Sequence, residues 1–196
     1  MRPVPPARTK SEATMTAKEW TMRLFGHRNV PEDPPARARR YLLREQITSI
    51  GDDYPIEDEE GELAFSVDGR ALRNLHTLIV HDPNGRELYR VPGRMLHLKT
   101  FMEIEYGAGG TAATIRKTKV GTSRDRWTVT VPGGTELLLR GPVPDHEYRI
   151  ESGTRQSAEV SKRWFRQRGA YGVAIPPGED GALLLTIAAA VDLMAR

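Results

Sequence analysis

Nine basic residues fall into two short groups. Arg116, Lys117, Lys119, Arg124 and Arg126 form one; Lys162, Arg163, Arg166 and Arg168 form the other, with Trp164 and Phe165 among them. Clustered Lys and Arg beside aromatic side chains suit an anionic lipid surface, where each basic residue near the charged plane contributes about 1 kcal/mol. The plainer reading is a solvated basic rim with Trp164 packed as core. The stretch Asp52, Asp53, Glu57, Asp58, Glu59, Glu60, Glu62 has oxygen donors for a hard cation but lacks the alternating acids and distal Glu of a calcium loop. It reads as a solvated hairpin edge. Histidines 27, 76, 81, 97 and 146 show no metal spacing, and His76 and His81, five apart, would face opposite sides of a strand. They read as surface or half-buried side chains. No nucleophile elbow, P-loop, dinucleotide fingerprint or H-E-x-x-H helix is present. The expectation is a chain with no catalytic residues, no cofactor and no metal.

Composition narrows the partner class. The chain of 196 residues has no cysteine, which removes disulfides, thiolate metal sites and cysteine nucleophiles. Its net charge of +3 is unevenly placed. Residues 1–40 hold nine Lys/Arg against four Asp/Glu, and the other 156 residues hold 20 against 22. The body is thus close to neutral, which makes nucleic acid an unlikely partner. Residues 1–39 carry six prolines and no sustained period, so they read as a largely disordered extension able to engage another protein. Within it, Thr16–Gly26 has the cap, the Trp20–Leu24 spacing and the terminal Gly of a short helix. An apolar secretory run is lacking at the N-terminus, so the expectation is a cytoplasmic protein, peripheral to the membrane if it meets one.

From residue 40 onward a repeat organises the chain. Alternating segments begin at Tyr54, Leu78, Met102, Trp127, Tyr148 and Tyr171, at spacings of 24, 24, 25, 21 and 23 residues. Apolar residues at their first and third positions are the mark of strands with one buried face. Glu59–Gly61, Pro83–Gly85, Gly107–Gly110, Pro132–Gly134 and Ser152–Gly153 follow the first five as turns. Return strands are then expected over Glu62–Asp68, Arg86–Val91, Thr111–Lys117, Thr135–Arg140 and Arg155–Lys162. Tyr41–Gln46 adds a strand before the hairpins and Tyr171–Ile175 one after. Both basic groups therefore fall in connections that follow a return strand, at one end of the meander.

Twelve strands in sequence invite closure, because an open sheet of that size leaves long edges. Eight strands fill a barrel with their own side chains; a wider one must hold something else. Ala182–Ala195 supplies it, since Thr186 and Asp192 are its only polar residues. A helix apolar all round belongs inside protein, and these fourteen residues span roughly 21 Å, short of the ~20 residues of a membrane span. Asp180 is placed to cap it. Asp192, in the final turn, is expected near the barrel mouth and solvated. The predicted fold is a closed twelve-stranded antiparallel barrel around a central C-terminal helix.

Several runs resemble the LURP-one-related family. They include Tyr41-Leu-Leu-Arg-Glu-Gln, Ile50-Gly-Asp-Asp-Tyr54, Val67-Asp-Gly-Arg70, Asp82-Pro-Asn-Gly85, Ala158-Glu-Val-Ser-Lys-Arg-Trp164 and Tyr171-Gly-Val-Ala-Ile175. The resemblance covers residues 40–196, leaves residues 1–39 outside, and implies the same barrel, shared with Tubby C-terminal domains and phospholipid scramblases. Tubby-like relatives bind phosphoinositide headgroups, and scramblases are calcium-responsive lipid movers. The scramblase acidic segment has only Glu179 and Asp180 to match it here, so calcium regulation does not carry over. The resemblance implies a non-catalytic binding or scaffold module for anionic phospholipid headgroups. A scramblase-like lipid mover and a protein–protein adaptor using residues 1–39 are the alternatives.

Overall fold

The computed structural model describes residues 38–44, 53–69, 71, 77–93, 100–120, 124–165 and 169–195. The strands are β1 (Arg39–Arg44), β2 (Tyr54–Asp58), β3 (Leu63–Val67), β4 (Leu78–His81), β5 (Glu87–Val91), β6 (Phe101–Tyr106), β7 (Thr111–Val120), β8 (Arg124–Val131), β9 (Thr135–Arg140), β10 (Tyr148–Ser152), β11 (Arg155–Ser161) and β12 (Ala170–Ile175). Among the described residues one long helix, α1 (Gly181–Ala195), follows β12. Every strand pairs antiparallel with its sequence neighbours, and β1 pairs with β12 from Arg39↔Ile175 to Arg44↔Ala170, which closes the barrel. The expected fold is the observed one. The Thr16–Gly26 segment lies outside the described residues.

Alternation does the sorting. Along β6, Met102 and Ile104 point inward at 0% exposure while Phe101, Glu103 and Glu105 are only half-buried. Asn84-Gly85 turns the β4–β5 hairpin: Gly85 takes φ +79, and Asp82 Oδ1 accepts from the Asn84 and Arg86 amides at 2.9 Å each. The turns β2–β3, β4–β5, β6–β7, β8–β9 and β10–β11 gather at one end, the turn end. The remaining connections share the other, the loop end.

α1 runs from the turn end to the loop end, and twelve of its fifteen residues are buried. Its N-terminus is fixed twice by Asp180. Oδ1 accepts from the Leu183 amide at 2.9 Å, and Oδ2 accepts from the Tyr89 hydroxyl at 2.5 Å. Thr186 disposes of its hydroxyl on the Ala182 carbonyl at 2.7 Å. Ala188, Ala189 and Ala190, all within 1% of full burial, keep the helix slim enough for strands to approach.

One hairpin outruns the barrel. β7 and β8 pair from Thr114↔Thr130 to Val120↔Arg124, whereas β6 pairing stops at Arg116 and β9 pairing stops at Trp127. Residues 118–120 and 124–126 thus form a two-stranded ribbon projecting past the loop end. Arg116, Lys117, Lys119, Arg124 and Arg126 stand on strands, not in a connection as expected. Strand propensity carries the ladder on, since β-branched Thr118 and Val120 continue the alternation.

Candidate functional site

The ribbon distributes its cations over both faces. Paired residues share a face, so Lys117 and Lys119 stand with Asp125 and Trp127 over the mouth, and Arg116 and Arg126 stand outside. Lys117 Nζ is 3.0 Å from Asp125 Oδ2 and 4.9 Å from the Trp127 ring centroid. Arg116 lies over Phe101 at 5.0 Å. Lys119 and Arg126 are exposed and, among the described residues, make no ion pair. Arg124 opens β8 opposite Val120.

The second group begins in a 3₁₀ turn, Lys162–Trp164, directly after β11. Glu147 anchors it: its carboxylate accepts from Ser161 Oγ at 3.0 Å and from the Lys162 amide at 3.1 Å, with Arg163 Nε 3.8 Å away. Trp164 is not core. With Phe165 it folds back over the outer wall, so close that a Cβ on Gly172 would come within 2.7 Å of the Phe165 ring and 2.8 Å of the Trp164 ring. Arg40 lies over Trp164 at 5.6 Å. Arg166 and Arg168 lie outside the described residues. The two groups share the loop end, with β9 and β10 between them.

Two further arginines escaped the sequence reading. Arg140 ends β9 and Arg149 sits on β10, both on the outer wall, directly opposite one another. Alternation alone places them outward; their adjacency appears only with the register. A cleft of about 840 Å³ opens at the rim between the start of β8 and the Gly141–Pro144 segment, bordered by Arg126, Arg140, Leu138, Pro142 and Pro144.

Asp192 is not solvated. It is 6% exposed, and its Oδ1 lies 2.9 Å from His146 Nε2. His146, expected at or near the surface, is 8% exposed and takes φ 54, a left-handed conformation that histidine adopts more readily than most residues. Its ring centroid is 4.3 Å from that of Tyr171. Burial, and then the Asp192 charge, push the Tyr148 hydroxyl well above the usual tyrosine pKa. The pair is buried and ties the last turn of α1 to the β9–β10 connection.

In the acidic stretch, Asp58 Oδ1 accepts from the Glu60 and Glu62 amides at 3.1 and 2.9 Å, so this carboxylate shapes the β2–β3 turn. Among the described residues no three His, Asp or Glu side chains gather as metal ligands, and no helix is long and apolar enough to cross a membrane.

Known proteins bear on this geometry. An uncharacterised Bacillus subtilis (strain 168) protein, YxjI, is 24% identical over 153 residues, covering 78% of this chain and 91% of its own length. An X-ray structure of an Arabidopsis thaliana protein superposes with a TM-score of 0.56 at 14% identity, covering 81% of this chain and 91% of that one. At that identity the likeness concerns the fold. The profile of the LURP-one-related family matches residues 39–192, from the first strand of the barrel to the last turn of its helix. The chain belongs to the LURP-one-related family.

Proposed function

We propose that the chain is a non-catalytic binding module whose loop end meets anionic phospholipid headgroups, holding it at the periphery of a membrane on the cytoplasmic side. The supporting observation is the ribbon. Lys119 and Arg126 project beyond the barrel and, among the described residues, make no ion pair, at the same end as Lys162 and Arg163. Exposed Lys and Arg gain little from ion pairs in the fold, but each contributes about 1 kcal/mol beside an anionic leaflet. Arg116 and Lys117, already on aromatic rings, set the ribbon's base.

Co-sedimentation of the full chain with vesicles tests this. Binding is expected to phosphatidylcholine vesicles carrying phosphatidylserine and not to phosphatidylcholine alone, and to weaken as salt shortens the screening length. Lys119→Glu with Arg126→Glu, and separately Arg163→Glu with Arg166→Glu, each reduce it. Binding that survives both charge reversals sinks the proposal.

A further inference from the structure

The outer wall at the loop end carries a row of guanidiniums assembled from separate strands. Arg149 is directly opposite Arg140 across β9 and β10. Arg126 stands one step past the Trp127–Leu139 pair, on the same outward side as Arg140, and Arg116 follows on β7 opposite Thr128. Adjacent strands are only ~4.8 Å apart. Like charges set opposite one another weaken a ladder, so the barrel itself gains nothing from this arrangement. Two carboxylates answer it: Glu151 Oε2 lies 2.8 Å from Arg140 Nε, and Glu159 Oε1 lies 3.9 Å from Arg149 Nε. Four guanidiniums against two carboxylates leave two positive charges: among the described residues Arg116 and Arg126 make no ion pair, and of these Arg116 lies over the Phe101 ring at 5.0 Å.

The cleft of about 840 Å³ lies beside this surplus. Arg126 and Arg140 form its charged side, and Leu138, Pro142 and Pro144 its apolar side. Asp125, the acidic residue in its lining, is already neutralised by Lys117 at 3.0 Å. Gly141 holds the connection tight at φ +123, and a Cβ there would come within 2.4 Å of the Glu147 carbonyl oxygen. The cleft wall is therefore built in place.

We propose that this cleft binds a phosphate monoester, its phosphate between Arg126 and Arg140 and the rest of the molecule against Leu138, Pro142 and Pro144. This rests on, and sharpens, the reading of the loop end as an anionic-headgroup surface. The charge selects the ligand class. A phosphate monoester carries about −1.5 to −2 at neutral pH and presents three free oxygens, whereas a carboxylate or a phosphodiester brings a single charge. Guanidinium forks match two oxygens at a time.

The full chain is titrated calorimetrically with glycerol 3-phosphate, and floated with phosphatidylcholine vesicles carrying either phosphatidic acid or phosphatidylserine. Saturable binding is expected, with phosphatidic acid preferred. Arg126→Gln with Arg140→Gln weakens it by about tenfold or more, from the loss of charge-assisted hydrogen bonds. Glu151→Gln, which removes a competitor for Arg140, strengthens it; Arg86→Gln, at the turn end, leaves glycerol 3-phosphate binding unchanged. Saturation by glycerol 3-phosphate supports the cleft with a soluble ester as ligand. Binding to phosphatidic acid vesicles alone, lost in the double arginine variant, supports it with a lipid as ligand. Equal binding to both anionic vesicles, untouched by the double arginine variant, overturns the cleft and leaves the general surface reading standing. Saturable glycerol 3-phosphate with no vesicle binding keeps the cleft and overturns the surface reading. No binding of any kind overturns both.

Discussion

At the scale of single residues, the His146–Asp192 pair carries the largest energetic stake. A carboxylate in the last turn of a helix opposes the macrodipole, whose negative end lies there. Burial at 6% exposure adds a desolvation cost, which His146 offsets by reaching Asp192 from the β9–β10 connection. Asp192→Ala is expected to lower stability by about 3–5 kcal/mol in denaturant unfolding, the scale for stripping one partner from a buried pair. A double-mutant cycle with His146→Ala isolates a coupling of roughly 0.5–3 kcal/mol. Zero coupling removes the pairing account. Two buried tyrosines set the alkaline limit. Burial comes first in raising both Tyr89 and Tyr148, with the Asp180 hydrogen bond second for Tyr89 and the Asp192 charge second for Tyr148. The unfolded chain loses these protons near the ordinary value of about 10 while the fold keeps them. Stability is thus unaffected by these groups below about pH 10 and falls above it. Tyr148→Phe should flatten that fall, read as the unfolding midpoint against pH. None of this was legible beforehand: 46 residues separate His146 from Asp192, and a terminal-turn position suggested water.

At the scale of elements, hairpins were readable because each carries its own punctuation. Gly85, Gly133 and Gly134 occupy the positive-φ positions that such turns require, so spacing and turn chemistry agree locally. What extends or overlays a strand was not readable. β7 runs to Val120, and whether a strand outlives its neighbours depends on where those neighbours stop. Likewise Trp164 looked like core because large aromatics usually are, yet its seat is the space left by Gly172 outside β12. Gly172→Ala should force the Trp164–Phe165 flap outward, costing about 1–3 kcal/mol as overpacking does, with a red shift in tryptophan emission. An unchanged spectrum would argue that the flap does not rest on that glycine.

Residues 39–195 form a barrel that needs its helix. The strands enclose α1, which packs against β4, β5, β6, β7, β11 and β12, with Leu185 and Ile187 at 0% exposure. Deleting residues 180–196 empties the bore, a far larger void than the single-residue cavities that already cost 2–5 kcal/mol. The expected product is aggregated or molten, judged by size-exclusion elution and loss of cooperative unfolding. A monomeric, cooperatively folding truncation would contradict the central-helix architecture. The regular spacing of six alternating segments and an all-round apolar end segment were enough to derive this shape. The basic groups were legible as residue types, and Arg140 and Arg149 were not, because neighbours across β8, β9 and β10 are set by register rather than by distance along the chain.

Closure through β1 and β12 also fixes when the protein can fold. Arg39 meets Ile175, and the core filler comes later still, so the first strand waits until β12 and α1 have been made. Until the ribosome has released α1, up to twelve half-apolar strands stand without the surface they pack against. Pairings this distant in sequence are slow to form, and exposed strand edges are the usual route to aggregation. The yield of native protein is therefore expected to respond to translation speed and chaperone supply as well as to equilibrium stability.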